Sequence, residues 1–171
     1  MIDRRDFLRC AAAGVITLAT DALFPSAVAF AALKVGDTLP SFALPDLKDN
    51  RVTMPGAVGG KVVVLHFWAT WCPYCINEMT SIEFLHKNFE KKGFTPFSIN
   101  VGQQRNVIES YLGKLRTTYP ILLDTDSSVA GTFGVTGIPT TFIADRKGIV
   151  RFKILGEITT AGLRKIVLSL L

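Results

Sequence analysis

The sequence predicts an α/β fold with a central mixed β-sheet flanked by helices, preceded by an N-terminal β-hairpin. Three observations carry that prediction. A largely apolar, β-branched run, Val62-Val63-Val64-Leu65-His66-Phe67-Trp68, has the character of a central strand buried on both faces. It leads within a few residues into a helical pattern, with Ile76, Met79, Ile82, Leu85 and Phe89 at spacings of three and four. Strand-like and helix-like segments then alternate toward the C-terminus, as in βαβ units.

Residues 33–54 intersperse short apolar pieces with Pro, Gly and Asp-Asn turn signals and predict the hairpin. Gly59-Gly60-Lys61 breaks into the central strand, and the helix after it ends near Lys91-Lys92-Gly93. A strand follows at about Phe94–Val101, a helix at about Arg105–Leu115, a short strand at Pro120–Leu123 and a short helix around Ser127–Phe133. Strands at Thr140–Ala144 and Ile149–Ile154 are joined by the turn sequence Asp145-Arg146-Lys147-Gly148. A last amphipathic helix, about Thr159–Leu170, carries Leu163, Ile166, Val167 and Leu170 on one side. There is no internal repeat and no low-complexity linker.

The chain has 171 residues, 49% of them apolar, and a mean hydropathy of +0.34, enough for one domain with a sizeable core. The first residues, Met1-Ile2-Asp3-Arg4-Arg5-Asp6-Phe7-Leu8-Arg9, precede an apolar stretch, Cys10–Leu23, and the small-residue run Ser26-Ala27-Val28-Ala29. That order of charged, apolar and cleavable segments reads as an export signal over residues 1–29, leaving 30–171 as the folded domain. The apolar stretch is short and includes Thr17, Thr20 and Asp21, which suits a cleaved signal better than a membrane anchor; an uncleaved signal would retain the protein at the membrane. The Arg4-Arg5 pair resembles a twin-arginine signal, with Asp3 and Arg9 departing from its usual flanks; an ordinary secretory signal is the alternative. The formal net charge of +5 speaks for solubility, and no arginine cluster or aromatic-interleaved basic stripe points to nucleic acid.

After cleavage Cys72 and Cys75 would be the only cysteines. Two cysteines three positions apart build no disulfide framework, so stapling is a poor explanation for them in an exported protein. A lone C-x-x-C pair is ambiguous between redox chemistry, half a zinc site and packing. Here its context favours redox chemistry. Cys72 opens a helix directly after a buried strand, where unpaired N–H groups and the positive end of the helix dipole lower a thiol pKa.

Several motifs surround this pair. They are Val35-Gly36-Asp37 with Pro40-Ser41-Phe42, Phe67-Trp68-Ala69-Thr70-Trp71-Cys72, Leu122-Leu123-Asp124 before a short helix, Gly137-Ile138-Pro139-Thr140-Thr141-Phe142, and the Asp145–Gly148 hairpin. Through them the chain, from about Val35 to its C-terminus, resembles the TlpA/ResA-like group of exported thiol–disulfide oxidoreductases, which have a thioredoxin-like fold. The strand and helix between the active helix and Tyr119 match the strand–helix insertion of that group.

The resemblance implies roles. Cys72, the better exposed cysteine by position, would be the nucleophile, and Cys75 would resolve the mixed disulfide. Pro139 resembles the cis-proline that faces the dithiol, presenting the Ile138 backbone to an extended substrate, with Ile138 and Thr140 flanking the groove. Trp71, Pro73 and Tyr74 would contribute to substrate contact, and Trp68 and Trp71 would pack around the site. Glu78, three residues after Cys75, stands where the group has a glutamate beneath the dithiol; in an apolar pocket it would move protons for Cys75, whereas on a solvated face it needs no function. His66 departs from the pattern, since thioredoxins have an aspartate there and this group commonly an asparagine. It would either modulate the thiolate pKa or sit neutral and hydrogen-bonded in the core. His86 reads as a surface residue.

The expected activity is disulfide reduction in exported, periplasmic proteins, with cytochrome c maturation the pathway the resemblance implies. Electrons would come from a membrane thiol–disulfide donor, because the chain has no flavin or nicotinamide fingerprint; no cofactor or metal beyond the redox-active pair is expected, and a monomer is. An oxidase or isomerase would use the same residues at a different reduction potential. A copper chaperone would bind soft Cu(I) through both cysteines, but both histidines precede residue 87, unlike the pattern of such proteins. The N-terminal opening also resembles peroxiredoxins, whose cysteine lies in a different local sequence. Cys-Pro-Tyr-Cys is also the glutaredoxin string, although the rest of the chain does not resemble a glutaredoxin.

Overall fold

The computed structural model describes residues 32–113 and 117–171. The expected export signal at 1–29 lies outside the described residues, and so does the end of the helix expected to reach Leu115. Two strands, β1 (Phe42–Pro45) and β2 (Arg51–Met54), pair antiparallel as the predicted hairpin. The main sheet contains β3 (Val62–Trp68), β4 (Phe94–Val101), β5 (Ile121–Asp124), β6 (Thr140–Ala144) and β7 (Val150–Leu155), in the spatial order β5-β4-β3-β6-β7. Strands β3, β4 and β5 run parallel, while β6 is antiparallel to both β3 and β7. The helices are α1 (Pro73–Phe89), α2 (Arg105–Leu112), α3 (Ser128–Thr132) and α4 (Thr160–Leu170). The strand–helix pair between α1 and Tyr119 is β4–α2.

Every residue of β3 is buried, because both faces of the sheet are covered. Alternation along the strand sorts two cores. Val62, Val64 and Trp68 pack with Met79, Ile82 and Leu85 of α1 and with Leu163 and Val167 of α4. On the opposite face Val63, Leu65 and Phe67 meet the hairpin, α3 and a cluster of Phe67, Phe133 and Phe142 with ring centroids 5.2–5.9 Å apart. Fully burying one such apolar side chain contributes roughly 1.5–3 kcal/mol, so the β-branched centre of this strand is the main anchor of the sheet.

Local chemistry sets the ends. The α1 helix passes into a short 3-10 turn, Glu90–Lys92, and stops at Gly93, whose φ of 89° suits glycine. Asp145 forms the β6–β7 turn by accepting from the Lys147 and Ile149 amides at 2.8 and 3.1 Å. Asp124, at the end of β5, accepts from the Val129 and Ala130 amides and so holds the start of α3. At the hairpin tip Arg105 donates to the Leu47 and Asp46 carbonyls at 2.7 and 3.3 Å and pairs with Asp49, clamping the hairpin to α2.

His86 is a correction. It is 9% exposed, not a surface residue, and its ring stands edge-on to Tyr119 with centroids 6.0 Å apart. The segment after α2 returns across α1 here: Glu83 accepts from both the amide and the hydroxyl of Thr118, which draws Tyr119 over the helix.

Candidate active site

The end of β3 turns through Ala69, Thr70 and Trp71, with the Cys72 amide donating back to the Ala69 carbonyl at 3.1 Å. Cys72 is the N-cap of α1. Its backbone is extended, its Sγ accepts from the Cys75 amide at 3.2 Å, and Pro73 occupies the first turn, where a missing N–H removes no helical bond. Cys72 and Cys75 form a disulfide with Cα atoms 5.3 Å apart. Cys72 is 4% exposed and Cys75 is fully buried, so of the two cysteines Cys72 is the one that reaches solvent. Beside them Trp71 and Tyr74 are largely exposed, at 69% and 61%, and Pro73 is exposed as well. Trp68, by contrast, is fully buried in the core beneath the pair.

The antiparallel pairing of β3 and β6 places Thr140 opposite Phe67, bringing the start of β6 to the sheet end from which Cys72 emerges. The Ile138–Pro139 peptide bond is cis. Ile138, Pro139 and Thr140 border a shallow groove whose far wall is Leu155 and Gly156. Ile138 is half-buried, whereas Thr140 is 1% exposed and its hydroxyl donates to the Gly137 carbonyl at 2.6 Å. Thr140 therefore shapes the turn and borders the groove from below. Leu155, 69% exposed, is an apolar wall the sequence did not single out; pairing with Thr140 across β6–β7 puts it there.

Glu78 is fully buried, on the face of α1 that meets the sheet. Its Oε1 accepts from the Thr141 hydroxyl at 2.5 Å, and Oε2 has no hydrogen-bond partner. Burial pushes its carboxyl up to about 7; the Thr141 hydroxyl and the Ile158 amide oppose this, and nearby Glu157 adds repulsion. The carboxyl thus exchanges a proton near neutral pH, one turn beyond Cys75. The solvated alternative does not hold.

His66 lies directly opposite Thr141 on β6 and Ser98 on β4, so the three form one polar row beneath α1. Tyr119 donates to the Met79 carbonyl, Ser98 donates to Tyr119 at 3.2 Å, and His66 Nδ1 faces the Ser98 hydroxyl at 3.3 Å. Because the Ser98 proton is already committed, Nδ1 is the donor, which leaves Nε2 as an unprotonated acceptor without a partner. Burial lowers the His66 pKa to about 3. Of the two roles left open by the sequence, this geometry is that of a neutral, hydrogen-bonded histidine. Thr141, Ser98 and Tyr119 carried no separate signal in the sequence; only cross-strand pairing reveals them.

Among the described residues, no group of three or more His, Cys, Asp or Glu side chains is placed to hold a metal ion, and no helix is long and apolar enough to cross a membrane.

The model of the AhpC/TSA family matches residues 35–153. The thiol-disulfide oxidoreductase ResA of Geobacillus thermodenitrificans is 35% identical over 136 residues, which is 78% of this chain and 76% of that protein. The ResA of Bacillus subtilis is 31% identical over 124 residues, covering 72% of this chain and 69% of its own. A crystal structure of a thiol:disulfide interchange protein of the thioredoxin family from Chlorobium tepidum superimposes with a TM-score of 0.71 at 28% identity, over 82% of this chain and 99% of that one.

Proposed function

The chain belongs to the AhpC/TSA family and has a thioredoxin-like fold, and from that premise we propose that it reduces disulfides in exported proteins. It is a thiol–disulfide oxidoreductase of the ResA type. The observation that carries the reading is the Cys72–Cys75 disulfide at the N-terminus of α1, with the buried Glu78 carboxyl one turn further on.

The cycle starts from the disulfide. A donor thiolate attacks Cys72 Sγ, the intramolecular S–S bond breaks, and Cys75 leaves as a thiolate that takes the Glu78 proton. The donor's second thiolate then attacks the donor's own sulfur in the mixed disulfide, the bond to Cys72 Sγ breaks, Cys72 leaves as a thiolate, and the donor departs as a disulfide with its two electrons now on the Cys72–Cys75 pair. In the forward half, Cys72 thiolate attacks a substrate disulfide and expels one substrate sulfur. Glu78 carboxylate takes the Cys75 proton, and Cys75 attacks Cys72 Sγ to expel the second. Pro139 and Ile138 align the substrate backbone in the groove, with Trp71, Pro73, Tyr74 and Thr140 around it.

The redox group is the cysteine pair itself, with no further cofactor. The electron donor is a membrane thiol–disulfide protein, the compartment is the periplasm or its equivalent, reached through the segment at 1–29, and the pathway is cytochrome c maturation or a related thiol pathway. The enzyme acts as a monomer. The test mixes reduced mature protein with insulin and follows precipitation of the freed B chain with dithiothreitol as donor. Turnover that depends on Cys72 supports the reading; no acceleration over dithiothreitol alone counts against it.

A further inference from the structure

We propose that Gln103, in the loop between β4 and α2, is a positioning residue for Cys72. The inference rests on Cys72 being the attacking thiol. Among the described residues, Gln103 is the one side chain outside the 69–72 turn that hydrogen-bonds to it. Its Oε1 accepts from the Thr70 amide at 2.8 Å, and its Nε2 donates to the Thr70 hydroxyl at 2.8 Å. Two bonds to one residue fix both the position and the rotation of that peptide.

The amide is itself held. Asn100, fully buried and paired in register with Trp68, donates its Nδ2 to the same Oε1 at 3.0 Å. Two N–H donors on one oxygen settle which end of the Gln103 amide faces which way. The loop is shaped by Gly102, whose φ of 70° suits glycine and whose amide donates to the Asp124 carbonyl at 2.9 Å. A Cβ there would lie 3.0 Å from the Ser127 hydroxyl.

Thr70 stands two residues before Cys72, and the Cys72 amide closes the same turn on Ala69. The direction in which the turn delivers Cys72 decides whether its Sγ meets the Cys75 amide, the contact seen at 3.2 Å. A thiolate at a helix N-terminus is stabilised by such a donor. Gln103 therefore acts on the reaction through the turn, by keeping the nucleophilic sulfur on the helix end; it touches no reacting atom.

The test measures iodoacetamide alkylation of Cys72 against pH in a Cys75→Ser background, with urea unfolding run alongside. Gln103→Met keeps the volume and removes all three bonds. It is expected to move the alkylation profile up by about one pH unit, which is roughly a tenfold loss of rate below the parent pKa. Thr70→Ser, which keeps the hydroxyl, is expected to match the parent, and Thr70→Val to shift in the same direction by a smaller factor. A Gln103→Met profile that superimposes on the parent overturns the inference. If that variant does not fold, a Thr70→Val profile identical to Thr70→Ser overturns it equally. An ordinary thiol pKa near 8.5 already in the parent overturns the inference, since no helix-end stabilisation is then left for Gln103 to maintain, whereas failure of Cys75→Ser to trap a mixed disulfide through Cys72 refutes the attacking-thiol reading itself.

Discussion

Thr141 donates its hydroxyl to the Glu78 carboxylate at 2.5 Å in a site closed to solvent, and the residue opposite Thr141 on the next strand is His66. One threonine thus joins the acid beneath the dithiol to the polar row that crosses the sheet. Glu78 keeps one oxygen satisfied and the other unpartnered, the arrangement of a group that holds a proton at one oxygen and can release it.

Glu78→Gln keeps the Thr141 bond and removes the titration. The wild-type rate of exchange at Cys75 is expected to change through a limb near pH 7, and the variant to lose that limb and run about 10- to 100-fold slower above it. Stopped-flow tryptophan fluorescence across pH 5–9 measures both. An unchanged profile would remove Glu78 from the mechanism.

The same carboxyl sets a stability slope. Its folded pKa, about 7, lies above the reference value of 4.5, so the native state holds the proton more tightly than the unfolded chain. That stabilisation is complete below pH 4.5 and is lost as pH rises through 7, by up to about 3 kcal/mol. Because His66 titrates with the opposite sign over the same range, the effect is read as the difference in urea unfolding free energy between wild type and Glu78→Gln, which should fall by up to about 3 kcal/mol from pH 4.5 to 8.

His66 acts in the opposite sense. Its pKa falls from 6.5 to about 3, so the unfolded chain binds the proton that the native core refuses. The stabilisation is present above pH 6.5 and is lost as pH falls toward 3, by up to about 5 kcal/mol. The difference in urea unfolding free energy between wild type and His66→Asn, in which the opposing Glu78 slope cancels, should therefore fall by about 4 kcal/mol from pH 7 to 3.5. An equally steep limb in the variant would assign the slope to other groups.

Arg105→Ala removes the clamp on the Asp46 and Leu47 carbonyls and the pairing with Asp49. Hydrogen exchange at the β1–β2 amides should accelerate about 10- to 100-fold, equivalent to roughly 1.5–3 kcal/mol, while β3 amides stay protected. Acceleration spread evenly over the whole sheet would mean that the clamp is not local.

Cys75→Ser should accumulate a mixed disulfide through Cys72, seen by mass spectrometry after incubation with an oxidised peptide. Cys72→Ser should accumulate none, since Cys75 is fully buried. The reverse pattern would exchange the two roles.

What could be read from the sequence was what local pattern encodes. The run Val62–Trp68 is β3 to the residue, because a strand buried on both faces leaves a near-continuous apolar signature, interrupted here only by His66. The ends of α1 announced themselves through Cys72, placed to open a helix just after the strand, and through Lys91-Lys92-Gly93, and the proline at 139 through the sequence around it. His86 was misread because helical periodicity marks the face that meets the sheet, whereas the cover over His86 comes from Thr118 and Tyr119, some thirty residues away. Thr141 and Gln103 were silent for a similar reason. Their partners, Glu78 and Thr70, are 63 and 33 residues distant, and only the register of the folded sheet brings them together.

The central claim is that this pair of cysteines delivers electrons, and its reduction potential tests that most directly. The mature protein is equilibrated in graded dithiothreitol and glutathione buffers and the Cys72–Cys75 dithiol fraction is read by mass shift after alkylation. A reductase requires a potential more negative than roughly −220 mV, in the range of thioredoxin. A value near −120 mV, that of a strong disulfide donor, would contradict the claim and reverse the direction of the reaction at the same residues.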